Sequence, residues 1–199
     1  MKAFIVLGNV SDKLIAATDF SNSLIVGVED GCNKLMKLHH NFIALGDFDS
    51  VTNFKKISNK SQKLVHLPRE KDDTDTAYAV KYLINLGYND ITILGGIKGF
   101  RCEHFIANVI LLNNYPQLIM KDDNSYLMVK ENDFTLQNEY QHVNFFALKD
   151  SIISIKGLKY ELDNYLLKPF DPLTISNSFI KEEAFISVQG KVLVILTNE

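Results

Sequence analysis

The stretch Phe42-Ile43-Ala44-Leu45-Gly46-Asp47-Phe48-Asp49-Ser50 holds the key to both the fold and the chemistry of this 199-residue chain. A short apolar run stops at a glycine and gives way at once to two aspartates, the pattern of a buried strand running into a polar loop. The runs Phe4–Leu7, Leu24–Val28 and Ile91–Leu94 also end in polar loops. Between such runs lie helix-like segments. Thr76 to Ile84 has apolar residues at 77, 80, 83 and 84, with Gly87 in the C′ role; Glu103 to Asn114 carries Phe105, Ile106, Val109, Ile110 and Leu112 before Pro116. Strands that alternate with helices imply an α/β fold with a mainly parallel, helix-covered sheet. Ligands of such sheets collect at the carboxyl ends of the strands, which is where the acidic motifs of this chain fall.

Beyond about Asp122 the pattern changes to short β-type runs: Tyr126–Lys130, Val143–Leu148, Ile152–Ile155, Ala184–Val188 and Val192–Leu196. Asn, Asp, Gly and Pro separate them, and Gln189-Gly190 is expected to turn a hairpin between the last two. The expected organisation is an α/β domain over 1–122 followed by an antiparallel β domain over 123–199.

Composition narrows the function classes. Hydrophobic residues make up 46% and charged residues 23%, the balance of a globular protein with a packed core. A net charge of -3, from 21 Lys+Arg against 24 Asp+Glu, gives no electrostatic case for a nucleic-acid or anionic-membrane surface, so small molecules are the expected partners. Cys32 and Cys102 form no Cys-x-x-Cys pair and no zinc spacing, and no apolar stretch approaches a membrane span. The expected location is the cytoplasm. Only Arg69 and Arg101 among the basic residues are arginine, and both stand beside acidic or glycine-rich motifs.

Three segments carry chemistry. If the strand geometry continues through 47–49, Asp47 and Asp49 point the same way while Phe48 turns into the core, and the paired carboxylates make a ready Mg²⁺ site. A polar turn would use the same residues. Lys71-Asp72-Asp73-Thr74-Asp75 precedes a helix, so its Asp and Thr can serve as N-caps; three carboxylates exceed what a cap needs, and Arg69 and Lys71 put cations where phosphate could lie. Ile93-Leu94-Gly95-Gly96-Ile97-Lys98-Gly99-Phe100-Arg101-Cys102-Glu103-His104, continuing to Asn108, runs from a strand through a glycine-rich loop into a helix, the geometry in which backbone N–H groups meet phosphate. It matches neither the P-loop nor the dinucleotide fingerprint. Arg101 can fork onto phosphate oxygens or form a surface ion pair. His104 shares a helix face with Asn108 and can act as a base or as a structural hydrogen-bonder.

In order and spacing these motifs resemble the thiamine pyrophosphokinase family. Its Asp-Gly-x-x-Asn segment is matched by Asp30-Gly31-Cys32-Asn33, its G-D-F-D-S by residues 46–50 unchanged, and its K-D-x-T-D by residues 71–75. Its G-G-R-x-D-H stands here as Gly99-Phe100-Arg101-Cys102-Glu103-His104, with Phe100 in place of a glycine and Glu103 in place of Asp. Gly157 to Leu162, Ser176-Asn177-Ser178 and the closing Gly190 with Val192–Leu196 resemble its β-sandwich domain, so the resemblance implies that the antiparallel β domain over 123–199 is a β-sandwich.

The resemblance implies transfer of a pyrophosphoryl group from ATP to the hydroxyl of thiamine, with Mg²⁺ held by Asp47, Asp49 and Asp75 together with Asp30. It further implies Lys71, Thr74, Arg101, His104 and Asn108 as ATP contacts. Asp72, Glu103 or a metal-bound carboxylate would accept the alcohol proton. The family forms homodimers whose thiamine site lies between one chain's α/β domain and the partner's sandwich, which makes Ser176 and Asn177 candidate thiamine contacts. Two rival readings exist. Asp47-Phe48-Asp49-Ser50-Val51-Thr52 also fits the nucleophile motif of haloacid-dehalogenase-type phosphatases, with Asp47 phosphorylated, though residues 71–75 and 99–108 then lack a role. The other rival is a thiamine- or nucleotide-binding homologue without turnover.

Overall fold

The computed structural model describes every residue except His39, Ser50 and Phe100. By contact the chain divides into one unit of Met1–Leu111 with Gln117–Asp123 and a second of Leu112–Pro116 with Asn124–Glu199.

In the first unit strands and helices alternate as β1 (Lys2–Val6), α1 (Asp12–Ala17), β2 (Ser23–Val28), α2 (Gly31–Lys37), β3 (Ile43–Gly46), α3 (Phe54–Lys60), β4 (Lys63–His66), α4 (Asp75–Asn85), β5 (Asp90–Leu94), α5 (Cys102–Asn114) and β6 (Leu118–Asp122). The strands lie in the order β4-β3-β2-β1-β5-β6, all parallel. Order reverses between β1 and β5, so the loops leaving those two strands flank a switch point, where open parallel sheets bind ligands. β1 and β3 are buried along nearly their whole length, which is why their sequences are continuous apolar runs. One face packs Phe4, Val6, Ile25 and Ala44 against Leu14, Ile15, Cys32, Leu35 and Ile57 of the covering helices.

Both expected helices form. Helix α4 ends where Gly87 was expected to stop it: Gly87 N donates to Ile84 O at 2.9 Å and Tyr88 N to Leu83 O at 3.1 Å, the paired bonds of a Schellman end. The elements of this unit absent from the sequence reading, α1, α2, α3, β4 and β6, are shorter than α4 and α5. β4 is a four-residue edge strand of mixed exposure, so it carries little apolar periodicity of its own.

The second unit contains β7 (Ser125–Lys130), β8 (Phe134–Gln137), β9 (His142–Ala147), β10 (Ser151–Lys156), β11 (Leu162–Leu167), β12 (Glu183–Gln189) and β13 (Val192–Thr197). These form two antiparallel layers, β7-β13-β9 and β11-β10-β12-β8. Their inner faces share one core that includes Met128, Val143, Phe145, Ile153, Ile155, Ala184, Ile186, Val192 and Val194, with burial alternating along β9, β10 and β12 as a sandwich requires.

The expected hairpin at Gln189-Gly190 does not form. β12 pairs with β10 and β8, whereas β13 pairs with β7 and β9, so the two residues carry the chain from one layer to the other. The reason is visible at Gly190, which sits at φ +144 against Ser151. A Cβ there would collide with Ser151 Oγ, which accepts from Lys191 N at 2.9 Å and donates to Lys149 O at 2.7 Å. Gly190→Ala is therefore expected to destabilise the chain by about 2–4 kcal/mol, the range of overpacking joined to backbone strain, as read by urea denaturation.

Candidate active site

The site begins with a tight contact between the ends of β2 and β3. Glu29 follows β2 at φ +52; its N donates to Leu45 O at 3.1 Å, and its Oε1 accepts from Phe48 N at 3.1 Å. Gly46 makes this possible, because a Cβ at that position would overlap Glu29 Oε1. Extended geometry therefore stops at Gly46, and the strand-like alternation expected for residues 47–49 is replaced by a turn with Phe48 at φ +55. Phe48 still enters the core, as expected, with its ring 5.3 Å from that of Phe54 and 6.1 Å from that of His66. Asp47 and Asp49 flank it and are linked by Asp49 N donating to Asp47 Oδ1 at 3.2 Å. Ser50 lies outside the described residues.

The loop between β4 and α4 brings cations to these carboxylates. Lys71 Nζ lies 2.6 Å from Asp47 Oδ2 and 3.2 Å from Asp75 Oδ1, and donates to Pro68 O at 3.2 Å. Its side chain is only 8% exposed and that of Asp47 15%, so this pair is largely shielded from solvent. Arg69 donates from Nε and Nη2 to Asp49 Oδ2 at 2.9 and 2.6 Å. Asp73 pairs with Lys81, and Asp72 is exposed. Thr74 is the N-cap of α4: its Oγ1 accepts from Ala77 N at 3.1 Å, the capping use expected of this segment.

The electrostatics follow from burial and pairing. The hydrogen bond from Lys71 holds the Asp47 carboxyl below its ordinary value of 3.8. Burial alone would push Lys71 down, but its bonds to Asp47 and Asp75 outweigh this and raise it. Glu29 is raised above 4.5, chiefly by burial and further by the charges of Asp75 and Asp47. Glu29 thus belongs to the same acidic cluster. The sequence reading passed over it for Asp30, although it is the first polar residue after the run Leu24–Val28, the position from which strand-end ligands are drawn. Asp30 stands at the N-cap of α2 without capping it and accepts from Asn33 Nδ2 at 2.8 Å.

At the switch point the residue missed is Asn9, in the loop after β1. Its Oδ1 accepts from Gly96 N at 2.8 Å and its Nδ2 donates to Lys98 O, which ties the glycine loop to β1. Asn108 is buried and donates from Nδ2 to Gly96 O at 3.1 Å, so its amide braces the loop from within. In this structure the Asn108 amide is engaged with the loop backbone. Arg101 and Glu103 form an exposed pair at 2.7 Å, the ion-pair alternative of the sequence reading, and that bond lowers Glu103 below its ordinary 4.5. His104 is exposed, and Phe100 lies outside the described residues.

In the second unit Asn177 is only 3% exposed: its Oδ1 accepts from Tyr160 N and Ser178 N at 2.9 and 3.0 Å, and its Nδ2 donates to Tyr160 O at 2.7 Å. That side chain clamps the Tyr160 backbone inside the unit. Ser176, exposed at φ +56, is the neighbour it presents.

Among the described residues no three His, Cys, Asp or Glu side chains converge into a ready metal cage, because the carboxylates converge on Lys71 instead. The donor chemistry nonetheless fits a hard divalent cation. Glu29 Oε2 is a buried oxygen without a hydrogen-bond partner, Asp75 Oδ1 is met only by the Lys71 ammonium, and Asp47 and Asp49 stand in the same turn.

Comparison with known proteins points to one family. The family model for the thiamin pyrophosphokinase catalytic domain matches residues 18–122, and that for the thiamin pyrophosphokinase vitamin B1 binding domain matches residues 131–193. The thiamine pyrophosphokinase of Bacillus subtilis is 26% identical over 202 residues, covering 96% of this chain and 94% of that protein. Thiamin pyrophosphokinase 1 of Caenorhabditis elegans is 27% identical over 168 residues, 76% of this chain and 68% of the worm protein. The crystal structure of the Bacillus subtilis thiamine pyrophosphokinase superposes with a TM-score of 0.89 at 24% identity over the whole of both chains, a likeness of fold.

The opposite shifts of Asp47 and Glu29 give opposite pH signatures. Asp47 is lowered, so its pair with Lys71 stabilises the fold fully above about pH 4, near the unfolded value, and this contribution is lost as pH falls through the folded value. Asp47→Asn is expected to cost about 2 kcal/mol near neutral pH, with the difference from wild type closing in acid. Glu29 is raised, so its ionised form opposes folding as pH rises above the unfolded value; Glu29→Gln is expected to be more stable than wild type near neutral pH and no more stable in acid. Urea denaturation across pH 3 to 7 checks both.

Proposed function

The chain belongs to the thiamin pyrophosphokinase family, and from that premise we propose that it is a thiamine diphosphokinase, which transfers the pyrophosphoryl group of ATP to the hydroxyl of thiamine and yields thiamine diphosphate and AMP. The alcohol oxygen attacks the β-phosphorus, the bond from that phosphorus to the oxygen shared with the α-phosphate breaks, and AMP departs with the electron pair. The alcohol proton passes to a carboxylate. What carries the reading is the interlocked set of Lys71 with Asp47 and Asp75 and Arg69 with Asp49, at the carboxyl edge of the parallel sheet and inside the matched segment 18–122.

Catalysis here is positioning and charge stabilisation. Asp47, Asp49 and Asp75 together with Asp30 would hold Mg²⁺ in this reading, with Glu29 as a further carboxylate of the same cluster. When bound, the ion neutralises polyphosphate charge. Lys71, Arg69 and Arg101 supply cations to phosphate oxygens, and the loop braced by Asn9 and Asn108 offers backbone N–H groups at the switch point. As proton acceptor Asp72 suits better than Glu103: Arg101 weakens Glu103 as a base, whereas Asp72 is exposed and makes no ion pair with another described residue.

Catalysis is assigned to residues 1–122. Thiamine is assigned to residues 123–199, with Ser176 as contact and Asn177 as its clamp. We propose a homodimer, supported by the exposed apolar side chains of Phe170, Leu173, Ile175 and Ile180 in the second unit, which a second copy would cover. ATP as substrate supports a cytoplasmic location; among the described residues no helix is long and apolar enough to cross a membrane.

Incubation with thiamine, ATP and Mg²⁺ tests the function. Thiamine diphosphate and AMP are expected in equal amounts. Free phosphate with a phosphorylated Asp47 would support the phosphatase reading instead, and binding without product a non-catalytic homologue. Asp49→Ala is expected to lower turnover more than about 100-fold with an unchanged circular dichroism spectrum, and near-wild-type activity of that variant would remove Asp49 from the site.

A further inference from the structure

Lys71 occupies the oxygens on which the metal reading depends. Its ammonium lies 2.6 Å from Asp47 Oδ2 and 3.2 Å from Asp75 Oδ1, on a side chain 8% exposed. Mg²⁺ takes oxygen ligands at about 2.0–2.1 Å and needs the same lone pairs, and an ammonium within about 4 Å of a dication is repelled. The two cations therefore exclude one another at Asp47 and Asp75. Arg69 competes less: it is exposed and holds only Oδ2 of Asp49.

We propose that Lys71 is an internal counter-ion which a divalent cation must displace, so that metal entry and release of the Lys71 ammonium are a single exchange. This rests on the reading of Asp47, Asp49 and Asp75 as metal donors. The drive for the exchange is charge: Glu29, Asp47 and Asp75 set three carboxylates against one ammonium, and Glu29 Oε2 has no hydrogen-bond partner. The released ammonium, on a flexible four-carbon stem, is free to meet a polyphosphate oxygen, so anionic nucleotide favours the exchange from the other side. Lys71 thereby links metal affinity to the presence of nucleotide. It is a positioning residue in the exchange, distinct from a fixed structural pair that stays closed while metal binds elsewhere.

The test is Mg²⁺ binding to the full chain without nucleotide, by titration calorimetry and by the rise in melting temperature on adding MgCl₂. Lys71→Met, which keeps the stem and removes the charge, is expected to bind Mg²⁺ at least about tenfold more tightly than wild type and to gain more melting temperature from it. Equal or weaker binding overturns the proposal. Should Lys71→Met fail to fold, ¹⁵N-lysine NMR of the wild type decides: the Lys71 ammonium signal, assigned by its loss in Lys71→Arg, is expected to shift or broaden as Mg²⁺ is added. An unchanged signal at metal saturation overturns the exchange. Thiamine diphosphate formation by the wild type is scored separately. A chain that makes product without the exchange keeps the proposed function and loses this inference, and one that shows the exchange without product does the reverse.

Discussion

A buried ammonium between two carboxylates ties together the catalytic edge of the first unit. Lys71 comes from the loop after β4, Asp47 from the turn after β3, and Asp75 from the first turn of α4, so one side chain joins three separately folded segments. Taking a lysine head group out of water costs several kcal/mol, which good geometry to two carboxylates can offset but seldom exceeds. Such an arrangement contributes specificity of placement more than stability. Arg69 on Asp49 adds a second, more solvent-screened tie between the same two loops.

The turn that presents these carboxylates is held by strain and close approach. Glu29 and Phe48 both sit at positive φ, an uncommon state for residues with large side chains. Each is fixed by the other, since Glu29 Oε1 accepts from Phe48 N while Gly46 leaves room for the carboxylate to pass. Packing of Phe48 beside Phe54 and His66 supplies apolar contact that offsets part of the strain. The cost also appears in Glu29 itself, a half-buried carboxylate beside two others. A chain selected for stability alone would not keep it ionised there, whereas a site for a cation and polyphosphate has reason to.

The glycine loop after β5 shows the same division between presenting groups and bracing groups. Asn9 and Asn108 spend their amides on Gly96 and Lys98, leaving Arg101, Glu103 and His104 on the exposed side. In the second unit Asn177 braces and Ser176 is presented. Asn108 and Asn177, the polar residues that attract notice in the sequence, are buried and structural, while Asn9, which the sequence reading missed, braces the loop from an exposed position. Type and spacing alone do not separate the two, because an amide suited to a ligand is equally suited to a backbone carbonyl.

The sequence by itself determined the α/β character up to about Asp122 through its buried strands and the two longest helices, the β-rich remainder, the Gly87 helix stop and the family motifs. These rest on local periodicity and on residues whose backbone preferences act within a few positions. Only the tertiary structure decided that Gln189-Gly190 crosses between layers, that extended geometry ends at Gly46, that Glu29 joins the acidic cluster and that Asn108 and Asn177 are braces. Each of those depends on what lies across space: Ser151 beside Gly190, Glu29 over Gly46, Lys71 between Asp47 and Asp75. Long-range steric fit and the pairing of buried charges leave no periodic trace along the chain, so they are settled only where the segments meet.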